Sequence, residues 1–192
     1  MPTTLPTPSS FTETFVALNC PEVSACFRWS FQPGMLFQDN VCWWKPARRT
    51  RPHEGVDLCG YHAGIGVRAR KVGTDLVPSL YDGVVVQIDD DFLGKTVWMA
   101  HESIRNDKLI LFSGLGHITP QETLTENAAI GQGEAVGRIA PRKKDSLLAM
   151  HLHCSVFWAP PYLQVERLSW QDLPTSKVIR LFDPLAIISR RA

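Results

Sequence analysis

Apolar and polar residues alternate in short blocks along most of this chain, with turn-forming clusters between them. That period of two is the signature of strands, whose successive side chains point to opposite faces of a sheet. It predicts strands at Gly83–Asp89, Lys95–Ala100, Lys108–Ser113, Glu134–Ala140 and Met150–Trp158, with a leading strand within Cys26–Phe31. Turn-rich pieces such as Asp89-Asp90-Asp91 and Gly131-Gln132-Gly133 separate them. Few stretches carry a helical period, so the chain reads as mainly β, a single antiparallel β-sheet domain. Residues 1–12, rich in Pro, Ser and Thr, read as a flexible tail, and the rest of the segment to residue 45 as an aromatic-rich lead-in. Leu163–Lys177, behind Pro160-Pro161, reads as an added loop, and there are no internal repeats.

Composition narrows the classes. With 192 residues, 44% of them hydrophobic, the chain can bury a full core without disulfides or metal. A formal charge of +1 lacks the basic excess of a nucleic-acid binder. No run approaches the roughly 18 apolar residues of a membrane span. The N-terminus has no Lys or Arg before Arg28 and no continuous apolar stretch, so a secretory signal is not expected. Five cysteines contain no Cys-x-x-Cys pair. Cys154 should face the core as a small hydrophobe, Cys59 should be an inert buried thiol, and Cys20 with Cys26 or Cys42 could pair in an exported protein.

The candidate chemistry lies in two elements about a hundred residues apart, His53-Glu-Gly-Val-Asp57 and His151-Leu-His153. Alternation along a strand puts His151 and His153 on one face and Leu152 with Cys154 on the other. Two imidazoles and a carboxylate fill three of the four tetrahedral positions of Zn²⁺ and leave one for water, the arrangement of catalytic rather than structural zinc. Either element alone is weak: an isolated His-x-x-x-Asp is usually a surface turn, and an isolated His-x-His a pair of half-buried strand histidines.

Together, in this order, they resemble the lysostaphin-like zinc endopeptidases that cut peptide cross-links in bacterial cell walls. The family's Arg-Pro-His-x-Gly-x-Asp element stands here as Arg51-Pro52-His53-Glu54-Gly55-Val56-Asp57, and its His-x-His element as His151-Leu152-His153. Asp82-Gly83-Val84-Val85-Val86, Ile130–Gly137 and Phe182-Asp183-Pro184-Leu185 match further landmarks of the family in sequence order. The resemblance implies a lysostaphin-type fold with a groove, extending over residues 46–192 and leaving residues 1–45 outside. It implies one zinc ion held by His53, Asp57 and His153, with His151 as a catalytic histidine beside the bound water. A second catalytic histidine is implied at His117, thirteen residues before Ile130; His101, which also ends an apolar run, is the competitor. Leu115 stands where the family has tyrosine, and Cys154-Ser155 replaces its usual Phe-Glu.

The function so implied is hydrolysis of peptide bonds in peptidoglycan cross-links, in an extracellular or periplasmic setting that the missing signal does not explain. The alternative is a zinc-containing but non-catalytic module that binds wall polymer or a partner protein. Basic clusters at Arg48-Arg49-Thr50-Arg51 and Arg142-Lys143-Lys144 flank the two metal motifs and could hold an anionic wall polymer. Arg68-Ala69-Arg70-Lys71 reads as solvated loop surface.

Overall fold

The structure, a computed structural model, describes residues 4–23, 25–64, 66, 68–144, 146–163, 169–170 and 173–188. Its elements are α1 (Phe11–Asn19), β1 (Arg28–Trp29), β2 (Val56–Leu58), β3 (Gly60–His62), β4 (Arg70–Lys71), β5 (Leu76–Pro78) and β6 (Gly83–Asp90). There follow β7 (Lys95–Asn106), β8 (Leu109–Pro120), β9 (Ala129–Ile130), β10 (Ala135–Ile139), β11 (Leu152–Ala159), β12 (Arg180–Phe182) and α2 (Leu185–Ile188). Among the described residues all strand pairings are antiparallel and strands outweigh helices, so the chain is mainly β, as the alternation predicts. The main sheet runs β12-β11-β8-β7-β6-β9, with β2 on β11 and β10 bridging β8 and β5. A small second sheet, β1-β3-β4, takes the leading strand.

The five main predicted strands are present as β6, β7, β8, β10 and β11. The hairpin of β7 and β8 is longer than predicted, with 12 residues in each arm. Its outer part, Glu102 to Asn106, is polar and lacks a clean buried face, so backbone pairing extends it where alternation gives no signal. Asp107, in the left-handed region at φ 57°, turns the chain.

Residues 4–12 are not a loose tail. Phe11 and Phe15, one helical turn apart in α1, are both fully buried in the main core. Ser9 N–H donates to Ile187 O at 2.9 Å, and the Thr12 hydroxyl donates to Ile188 O, which ties the segment to α2. Trp29 Nε1–H donates to Thr12 Oγ1 at 2.9 Å. A nine-residue helix with only two large aromatics on its buried face is too short for its period to stand out in the sequence.

The main sheet is buried on both faces near its centre. On one face Val97, Leu115, Leu152, Cys154, Val156 and Trp158 join α1 in the main core. Trp98, Phe112 and Phe157 form a second cluster on the other face, where Phe112 and Phe157 stack at 5.4 Å. Cys154 faces the core as expected, and all five cysteines carry free thiols. Of the predicted added loop, residues 164–168 and 171–172 lie outside the described residues.

Candidate metal centre

Strand register assembles the centre. In the antiparallel pair of β2 and β11, Asp57 lies directly opposite His153. Their neighbours Val56, Leu58, Leu152 and Cys154 go into the main core, so Asp57 and His153 are turned together to the opposite face. Gly55 makes this contact possible: a Cβ there would lie 2.3 Å from Cys154 O and 2.8 Å from His153 Nε2. The glycine of the His-x-Gly-x-Asp element is therefore a close approach of backbone to β11. His53 enters from the preceding loop, anchored by its N–H to Asp39 O at 3.0 Å and its carbonyl to Gln38 N at 2.9 Å.

Three donor atoms converge. His53 Nε2 lies 3.3 Å from His153 Nδ1 and 3.3 Å from Asp57 Oδ1, and His153 Nδ1 lies 2.8 Å from Asp57 Oδ1. Bonds of about 2.0–2.1 Å to a tetrahedral Zn²⁺ would place such atoms about 3.3 Å apart. Each ligand candidate is held from behind. His53 Nδ1–H donates to Leu36 O at 3.0 Å, which leaves Nε2 with its lone pair. His153 Nε2–H donates to Ser155 Oγ at 3.0 Å, and Ser155 Oγ–H donates to Glu54 O at 3.1 Å. Asp57 Oδ2 accepts from Trp43 Nε1–H at 2.6 Å, with an Arg49 guanidinium nitrogen at 3.5 Å. Three lone-pair atoms thus face one another in a buried space, an arrangement that calls for a shared cation or proton. The donor set fits a metal ion, and these three residues could hold one.

Burial would raise the Asp57 pKa, but the facing histidines hold it well below the usual carboxylate range. Burial lowers His153 against the pull of Asp57. For His53 the burial penalty is outweighed by the Asp57 carboxylate, so its pKa rises. Acid would therefore compete with a metal for this pocket.

Two more histidines stand at the open side. His151 Nδ1–H donates to Ala149 O at 2.9 Å, leaving Nε2 turned inward, 3.8 Å from Asp57 Oδ1. Burial lowers its pKa to about 4, so it is neutral at pH 7. Its ring lies edge-on to Trp43 at 5.1 Å and to His117 at 4.7 Å. His117 reaches this face through a β-bulge. Three steps from Leu115 to Ile118 on β8 match two steps from Val97 to Lys95 on β7, and His117 sits at φ 63°. Leu115 and Ile118 both enter the main core, so the extra residue flips His117 to the His153 side.

His117 also has a carboxylate partner absent from the sequence reading. Asp91 Oδ1 lies 3.0 Å from His117 Nδ1, and Asp91 Oδ2 accepts the His117 backbone N–H at 2.8 Å. Asp91 also accepts from Gly94 N–H and Leu93 N–H at 2.7 and 2.8 Å. Burial raises the Asp91 pKa, but the His117 contact and these N–H donors outweigh it and bring it far down. His101 is elsewhere. It pairs with Leu111, six residues down β8 from His117 and so about 20 Å away along the strand. Its ring bonds to Asp82 O at 3.0 Å and Ser113 Oγ at 2.8 Å.

The five predicted site residues thus line one groove of about 470 Å³. Lys45, Arg48, Arg49 and Arg51 are among the lining residues, as are Phe92, Leu148, Trp170 and Pro174. Trp170 lies 4.3 Å from the His153 ring and covers Gly116, whose Cβ would meet it at 2.7 Å. Of the supporting residues, Trp43, Asp91 and Ser155 were missed by the sequence reading. Their signal is tertiary, since each is recognisable only once its partner is placed. Cys59 is buried beside Asp57 with its thiol pKa pushed up by burial, as an inert thiol should be.

No protein-family model and no curated protein matches the chain. Among solved structures it is similar to a zinc-containing peptidase from Vibrio cholerae, at 16% identity and TM-score 0.41 over 68% of this chain and 32% of that one. Lysostaphin is similar at 15% identity and TM-score 0.43, over 68% and 43%. CbpA from L. salivarius REN is similar at 19% identity and TM-score 0.48, over 83% and 87%. The chain spans less than half the length of the first two.

Proposed function

We propose that the chain is a zinc-dependent endopeptidase that hydrolyses peptide bonds of peptidoglycan cross-links, with one zinc ion held by His53, Asp57 and His153. The observation that carries this is the convergence of His53 Nε2, His153 Nδ1 and Asp57 Oδ1 below two further buried histidines in one groove. When bound, zinc supplies a water of lowered pKa and polarises the scissile carbonyl.

The remaining steps belong to the chain. His151 Nε2, with its lone pair turned inward, accepts the proton of the attacking water. His117, with Nδ1 against Asp91, lines the groove and orients the reacting groups or protonates the leaving amine. Positioned proton transfer of this kind contributes about 10²–10⁴-fold. Ser155, Leu36 and Trp43 keep the ligand rings and the carboxylate from rotating. Residues 46–192 form the catalytic unit, and the segment before residue 46 braces it through Trp43 and α1. The substrate places the reaction in an extracellular or periplasmic setting. No helix among the described residues is long and apolar enough to cross a membrane.

The test is digestion of purified cross-linked muropeptides by zinc-loaded and chelated protein, read by mass spectrometry. Zinc-dependent appearance of the two halves is expected. Intact cross-links under all conditions, with zinc bound, would replace the enzyme with the non-catalytic wall-binding module.

A further inference from the structure

Basic side chains line the groove. Lys45, Arg48, Arg49 and Arg51 line it, whereas its carboxylates, Glu54 and Asp57, are both turned to the imidazoles. Across the whole chain 20 basic residues nearly balance 19 acidic ones, so this wall is a local concentration rather than an overall bias. Phe92 and Trp170 line the groove as well, next to Asp89, Asp90 and Asp91.

The basic wall is also stiff. Val41 and Arg48 form an antiparallel bridge, closed by Cys42 N–H to Ala47 O at 2.8 Å and Arg49 N–H to Asn40 O at 2.9 Å. Arg49 serves as its internal strut. It donates to Gly34 O at 3.0 Å and Val41 O at 3.2 Å, and its guanidinium lies 5.0 Å from the Trp44 ring centre. Next to Trp44, Trp43 is bonded to Asp57, so the hairpin is fastened to the candidate metal centre itself. Lys45 and Arg48 are exposed on this frame, at the groove. A backbone frame fixed in advance presents these side chains at a set place, and a cleft with low-dielectric walls focuses the field on its contents.

We propose that the Val41–Arg48 hairpin is a substrate subsite for a free carboxylate, so that the protein selects cross-link peptides bearing an ionised carboxyl close to the cleaved bond over their amidated forms. This rests on the proposed peptidase reading and names the substrate class within it. Lys45 and Arg48 make the contact, and Arg49 holds the frame.

The experiment compares matched cross-linked peptides that differ only in a free or an amidated carboxyl. Rates of cleavage (kcat/KM) and binding to zinc-loaded protein are measured at low and high salt. Wild type should favour the carboxylate form by about tenfold or more at low salt, and the preference should shrink at high salt. Lys45→Gln/Arg48→Gln should narrow the preference to less than about threefold. Arg105→Gln/Lys108→Gln, which removes two exposed charges at the hairpin end of β7 and β8, should leave it intact. Zinc content reports whether each variant is folded, and the salt series on wild type needs no variant. Equal use of both peptides by wild type, or a preference that survives Lys45→Gln/Arg48→Gln, overturns the subsite. If neither peptide is cut but the carboxylate form binds more tightly, the hydrolytic reading fails and the subsite stands.

Discussion

Trp43→Phe removes one hydrogen-bond donor from the candidate centre while keeping an aromatic ring beside His151. Trp43 Nε1–H lies 2.6 Å from Asp57 Oδ2, and the Asp57 side chain is 4% exposed, so water has little access to replace the donor. Arg49 remains at 3.5 Å, too long for a good hydrogen bond. A hydrogen bond to a charged group contributes about 1.5–3 kcal/mol. Loss of a partner behind a metal ligand weakens binding by about 10–100-fold, which is about 1.4–2.8 kcal/mol and the same magnitude. Competition against a chelator of known zinc affinity gives the number directly. Wild type and Trp43→Phe should differ by about 10–100-fold. Affinities within threefold of each other would refute the reasoning, because Asp57 would then need no support from the hairpin.

Asp91→Asn keeps one side-chain oxygen to accept from the Leu93 and Gly94 N–H groups but removes the charge beside His117; zinc content should be unchanged and cleavage should fall roughly 10²-fold. Phe15→Ala empties a fully buried site in α1 and should cost about 3–5 kcal/mol in urea unfolding, whereas an isolated tail would lose nothing. His101 gives a pH test away from the metal. Burial lowers its pKa from 6.5 to about 4. The unfolded chain therefore binds the extra proton between those values, and stability falls as pH drops through that window. From pH 7 to 5 this site should cost about 2 kcal/mol, and His101→Gln should lose that part of the slope.

What the sequence made legible was whatever depended on local period. Alternation located the central strands and turned Cys154 inward. It also set His151 and His153 on one face, and both line the groove, although His151 stands just before β11. The resemblance to a known family pointed to the four histidines and one aspartate that line the groove. Features set by tertiary partners stayed hidden. The bulge that aims His117 is a register shift between two strands and leaves no mark on either alone. Asp91 looked like one of three turn aspartates until His117 stood beside it. Trp43 read as one more aromatic in a lead-in segment, yet it reaches Asp57. Helix α1 straddles the expected tail and the lead-in and has no visible period, because two aromatics one turn apart are a weak signal, and the burial that fixes it comes from the sheet and α2.

Zinc stoichiometry across five single variants tests the central claim most directly. Purified wild type should hold one zinc per chain. His53→Ala, Asp57→Ala and His153→Ala should each lose it, while His151→Ala and His117→Ala should keep it and lose cleavage. Wild type without zinc, or zinc retained after loss of any of the three converging residues, would contradict the account.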